Sequence, residues 1–178
     1  MADNIAEDVH AREVEIPPAG LKAILTVPAN PIAMVIFAHG SGSGRLSPRN
    51  NHVAAALRED GFATLLLDLL TPEEERDRAN VFNIELLAGR LSLAARWVRE
   101  QPAYSEIPIC YFGASTGAGA ALVAAARDEP HIAAIVSRGG RPDLAGPWLG
   151  KLRTPTLLIV GSLDGPVIDL NKQAYDAL

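Results

Sequence analysis

Apolar residues in this chain fall into short unbroken runs, and these alternate with longer segments whose apolar positions recur every three or four residues. The runs at 33–38 (AMVIFA) and 63–68 (ATLLLD) are of the length and composition expected of strands covered on both faces. Similar runs at 108–112, 132–137 and 156–160 predict further strands. Residues 14–16 and 21–27 read as two strands joined across Pro17-Pro18-Ala19-Gly20, a turn signal. The intervening segments predict helices. Residues 50–60 carry the stripe Val53, Ala54 and Leu57, with Gly61 just past the end. Residues 83–100 carry a broader stripe from Leu86 to Val98, and 116–127 and 167–178 complete the set. The charged stretch 72–78 is left without a regular element.

Buried strands alternating with helices predict an α/β domain with a doubly wound, mostly parallel sheet, because parallel neighbours need crossover connections. In such sheets chemistry collects at the carboxyl ends of the strands. With 178 residues, one domain is expected over 1–178, with 1–12 as a polar tail. That start lacks the basic and apolar parts of a secretory signal, and no apolar run is long enough to cross a bilayer. The net charge of −5 offers no footprint for a phosphate backbone, so neither nucleic acid nor membrane is an expected partner. Cys110 is the only cysteine, cannot form an internal disulfide, and fits a cytoplasmic location.

The strand at 108–112 ends in Gly113-Ala114-Ser115-Thr116-Gly117 and runs at once into an alanine-rich helix. This is G-x-S-x-G in strand–turn–helix context, which presents a serine hydroxyl above the sheet as a nucleophile. Small residues two positions either side relieve crowding, and the helix N-terminus adds positive partial charge where an oxyanion would form. The strand at 33–38 ends in His39-Gly40-Ser41-Gly42-Ser43-Gly44, a loop with backbone N–H groups free to meet a ligand. The oxyanion donors expected are the N–H groups of Ser41 and Thr116. His39 is read as a brace for the loop, supported with Gly40, rather than as a catalytic base. A phosphate-cradle reading fails because Arg45 occupies the third glycine position of G-x-G-x-x-G and no P-loop lysine is present. The strand at 156–160 ends in a turn holding Asp164, placed to orient an imidazole, with Asp169 as the lesser substitute. No histidine pair has metal-ligand spacing, so neither metal nor cofactor is expected. Arg138 and Arg141 are expected to pair with Asp143 or Glu129, Trp97 and Trp148 to pack, and Cys110 to be inert.

With these motifs in hand, the chain resembles the dienelactone hydrolase family of α/β hydrolases, in particular its short, lid-poor, phosphoribosyltransferase-associated members. The matching pieces are HGSGSGRLSPRN at 39–50, LLLDLLTPEEE at 65–75, CYFGASTGAGAAL at 110–122, SRGGRPDLAG at 137–146 and PTLLIVGSLDGPVIDLN at 155–171. The resemblance implies a hydrolase of small-molecule esters, with Ser115 as nucleophile, Asp164 as acid, and Ser41 and Thr116 as oxyanion donors. Dienelactone hydrolases proper carry cysteine at the nucleophile position; Ser115 points instead to general esterase activity. The family pattern also implies a further strand, a loop with the catalytic His and a final helix after Leu178, so the fold is read as C-terminally incomplete. His10, His39, His52 and His131 all precede Asp164. Two function classes therefore stand side by side: a serine esterase working through an acyl-enzyme, and a hydrolase-fold binding protein lacking the triad His. Acyl transfer would use the same site. The strand at 156–160 is expected to be an open apolar edge through which copies could self-associate.

Overall fold

A computed structural model describes residues 11–128 and 131–178. These form one seven-stranded sheet in the order β1-β2-β4-β3-β5-β6-β7. The first strand, β1 (Ala11–Ile16), begins three residues earlier than the hydrophobic pattern suggested, because Arg12, Glu13 and Glu15 lie on an exposed edge strand. Ala11 and Arg12 thus belong to the sheet, opposite Thr26 and Leu25, and not to the expected tail. The partner strand β2 (Leu21–Thr26) buries Leu21, Ala23 and Leu25 and exposes Lys22, the period-two signature of a half-covered strand. It pairs antiparallel with β1 and with β4 (Ala63–Leu67). The remaining strands run parallel: β4 with β3 (Met34–Ala38), β3 with β5 (Ile109–Ala114), β5 with β6 (Ile132–Arg138), and β6 with β7 (Thr156–Ile159).

Every residue of β3 and β4 is buried, as expected of strands sandwiched between two helix layers. Strand parity assigns the layers. Val35 and Phe37 point to the face covered by α1 (Pro48–Glu59), where they meet Ala54, Leu66 and Phe112. The Phe37 and Phe112 rings pack with centroids 5.0 Å apart. Met34, Ile36 and Ala38 point the other way, into the larger core built with α4 (Ile84–Glu100) and α5 (Thr116–Asp128). Ser47 caps α1 by accepting the Asn50 N–H, and Gly61, at φ +86°, lets the chain turn into β4.

Two stretches differ from the sequence expectation. The charged stretch holds two short helices, α2 (Pro72–Glu75) and α3 (Arg78–Val81). A 3₁₀ run, Pro142–Lys151, links β6 to β7 and is broken at Gly146, whose φ of +50° interrupts the helical backbone. The last helix, α6 (Gly165–Ala177), packs on that run. At the far edge, β7 pairs only with β6 among the described residues, and Leu157 and Ile159 are 56% and 44% exposed.

Candidate active site

The site grows out of the turn between β5 and α5. The strand runs to Ala114, the helix starts at Thr116, and Ser115 alone makes the bend, at φ +51°. Holding a non-glycine residue in that left-handed region costs about 1–2 kcal/mol, so the surroundings must fix it. They do so from both sides. The Ser115 carbonyl accepts the N–H of Ala118 at 3.1 Å and of Arg141 at 3.0 Å. A Cβ on Gly113 would lie 2.5 Å from the Ala118 Cα, and one on Gly117 would lie 2.3 Å from the Ala38 carbonyl oxygen. Both flanking positions therefore require glycine, and Ser115 is left half-buried at the carboxyl end of the sheet.

The glycine loop after β3 lies directly against the bend. A Cβ on Gly40 would come within 2.8 Å of the Ser115 Cβ and 3.5 Å of its Oγ. His39, buried at the start of this loop, uses both ring nitrogens: Nε2 accepts the Leu69 N–H at 3.0 Å, which places the proton on Nδ1, donated to the Gly40 carbonyl at 2.9 Å. The ring ties β3 to the end of β4 and has no lone pair left for a serine. Gly42 takes φ +68°, and the Ser43 N–H closes a turn on the Gly40 carbonyl at 3.2 Å. Among the described residues no backbone carbonyl takes up the N–H of Ser41 or of Thr116. Thr116 is buried and its hydroxyl also lacks a partner. The Thr116 N–H thus stays unspent at the N-terminus of α5, next in sequence to Ser115, and the Ser41 N–H stays unspent in the loop, next to Gly40.

Two cavities flank the loop. One, of about 10 Å³, lies between Gly40–Gly42 and Thr116, with Leu69, Leu70, Val81 and Leu87 as apolar walls. The other, of about 230 Å³, is lined by His39, Ser43, Gly44, Arg45, Asp68 and Glu75, among others. Asp68, at the end of β4, accepts the Arg45 N–H at 2.6 Å and pairs with the Arg45 guanidinium at 2.5 Å. Glu13 adds a second carboxylate to that guanidinium at 3.5 Å. Glu75 lines both cavities. Sequence reasoning missed these three groups. Thr71-x-x-Glu74 is a capping-box pattern, and reading it would have tied Glu74 to the helix start and left Glu75 free.

The other predicted residues scatter. Asp164 stands in the exposed turn after β7, at the start of α6, with no side-chain partner among the described residues. Asp169 is exposed on α6. His52 lies on α1, and His131 precedes β6 at the amino end of the sheet, opposite Ser115. His10 lies outside the described residues, as does Glu129. Arg141 pairs with Asp143 through two bonds of 2.8 and 2.7 Å, as expected. Arg138 corrects the expectation. It donates to the Asn50 side chain at 3.0 Å and sits 6.0 Å from the centre of the Phe112 ring. Trp97 and Trp148 both pack on the core, as expected, and Trp148 also donates to Glu85 and lies against Arg127 and Lys151. Burial pushes the Cys110 thiol up, which lowers its thiolate fraction and reactivity. The described residues contain no cluster suited to a metal ion and no helix long and apolar enough to cross a membrane.

No family model matches the chain. Two curated proteins of Mycobacterium tuberculosis, from strains CDC 1551 / Oshkosh and H37Rv, are 58% identical to it over 168 residues. Both carry the provisional name phosphoribosyl transferase. The match takes in 94% of this chain, which spans only 37% of their length. The solved structure of a dienelactone hydrolase from Anabaena variabilis superposes with a TM-score of 0.89 at 49% identity, over 96% of this chain and 81% of that one. An esterase of Pyrococcus furiosus shares the fold, with a TM-score of 0.74 at 16% identity over 95% of this chain and 77% of its own.

Proposed function

The chain belongs to the dienelactone hydrolase family of α/β hydrolases, and from that footing we propose that it cleaves small carboxylic esters through an acyl-enzyme on Ser115. One observation carries the reading: Ser115 is held at φ +51° with its side chain against the glycine loop. Attack of the Ser115 oxygen on an ester carbonyl forms a C–O bond, releases the hydroxyl proton to a base, and moves negative charge to the carbonyl oxygen. The N–H groups of Ser41 and Thr116 are the proposed donors to that oxygen. Each donor of such a pair is typically worth about 10²–10³ in turnover. Collapse expels the alcohol, and water then repeats the sequence on the acyl-serine. Because His39 has both nitrogens engaged, the base is a different imidazole, which Asp164 is proposed to orient.

A second reading is favoured by a specific feature: the Asp164 carboxylate is exposed, and none of the described histidines hydrogen-bonds to it. A hydrolase-fold binding or interaction protein without the triad imidazole would keep such a turn. The transferase name of the mycobacterial relatives describes proteins of which this chain spans 37%, and acyl transfer to an acceptor other than water would start from the same serine. The readings separate on chemistry at Ser115. A fluorophosphonate is expected to add one phosphonyl group to the protein and none to Ser115→Ala, as read by intact mass, with p-nitrophenyl acetate hydrolysis following the same pattern. Equal labelling of both proteins, or of neither, overturns the nucleophile assignment.

A further inference from the structure

We propose that Glu75 makes this site prefer esters whose leaving group is positively charged and disfavour those whose leaving group carries a carboxylate; this rests on the reading of Ser115 as nucleophile. The cavity lined by Gly40, Ser41, Gly42 and Thr116, about 10 Å³, has room for about one water-sized group, such as the methyl of an acetyl. The leaving group is assigned to the cavity of about 230 Å³, which shares His39, Leu70 and Glu75 with the small one. Among the charges lining that space, Arg45 is already matched by Asp68 at 2.5 Å and approached by Glu13 at 3.5 Å. His39 accepts on Nε2 and is neutral in this arrangement. Glu74, the neighbour of Glu75, is spent on the Thr71 cap and on an ion pair with Arg90.

The Glu75 N–H donates to the Thr71 carbonyl at 3.0 Å, but its carboxylate has no hydrogen bond or ion pair among the described residues, and the residue lines both cavities. Of the charged groups lining the larger cavity, Glu75 is the one without a partner, and its carboxylate adds to a rim already in negative excess over Arg45. Glu75 is exposed, so water and salt screen it, and the expected discrimination is about threefold to tenfold rather than several orders of magnitude.

The test uses three phosphonothioates that differ only in the thiol they release: a choline-like cation, its uncharged carbon isostere, and a carboxylate. In each, the Ser115 oxygen forms a bond to phosphorus, the P–S bond breaks, the thiolate leaves with the electron pair, and the serine proton passes to base or solvent. The rate of labelling at Ser115 is followed by intact mass. The expected order is cation, neutral, anion, with a cation-to-anion ratio of about threefold to tenfold that shrinks at high salt. Glu75→Gln is expected to collapse that ratio towards one, and Glu75→Lys to invert it. An anion-preferring protein, or a ratio unmoved by Glu75→Gln, Glu75→Lys and salt alike, overturns the inference while leaving Ser115 as nucleophile. Failure of all three probes to label Ser115 overturns the serine reading itself.

Discussion

Replacing Gly117 by alanine tests how tightly the elbow is gauged. The new Cβ would stand 2.3 Å from the Ala38 carbonyl oxygen, 2.5 Å from that of His39 and 2.7 Å from the Ala38 carbonyl carbon. All three are backbone atoms, so no rotamer change relieves the overlap. Ordinary contact begins near 3.4 Å, so α5 and β3 must part by about 1 Å. Alanine gains up to about 1 kcal/mol of helix propensity over glycine, whereas forcing a methyl group into a packed interior costs about 1–3 kcal/mol. The clash against backbone belongs at the upper end, so a net loss of about 1–2 kcal/mol is expected in urea unfolding. The same displacement separates the Thr116 N–H from the loop N–H groups. A misplacement of about 1 Å can cost up to about 10²-fold, so phosphonylation of Ser115 should slow by about tenfold or more. Gly89 supplies the control: it is exposed on α4, and a Cβ there meets nothing within 4 Å. Gly89→Ala should stabilise by up to about 1 kcal/mol and leave labelling alone. Equal effects of the two substitutions, or a Gly117→Ala protein as stable and reactive as its parent, would refute the close-approach argument.

Two further outcomes are expected. Ser115→Gly relieves the left-handed backbone and should raise unfolding free energy by about 1 kcal/mol while ending all labelling; a variant less stable than the parent would show that the bend holds no strain. The open edge of β7, with Leu157 and Ile159 exposed, should give concentration-dependent association in sedimentation velocity. Leu157→Lys with Ile159→Lys should abolish it, and a parent that sediments as a monomer at all concentrations would count against the edge as a contact.

The parallel core was legible because strands buried on both faces, such as β3 and β4, leave apolar runs of strand length, bounded by turn residues. The elbow was legible because its spacing is enforced by sterics that only glycine at 113 and 117 satisfies. What stayed hidden depended on contacts distant in sequence or on local geometry. The start of β1 was masked by Arg12, Glu13 and Glu15, polar because an edge strand faces water. Gly113 reads as a turn residue yet sits inside β5, since its lack of a side chain serves the neighbouring helix and not the bend. The 3₁₀ run carries Pro147 and the kink at Gly146, so it has no regular period to detect. The bond from the Leu69 N–H to His39 Nε2 joins residues thirty positions apart, and which of Glu73, Glu74 and Glu75 lines the cavities was decided by the short turn of α2.

Gly117 and the carbonyls of Ala38 and His39 meet main chain to main chain. The interval between α5 and the glycine loop is thus set by peptide planes, like the jaws of a calliper, and not by any side chain that could swing or be exchanged. Substitutions elsewhere in the core can alter that interval only by displacing an entire strand or helix. Variation that tunes what the site accepts is accordingly confined to the residues around its rim.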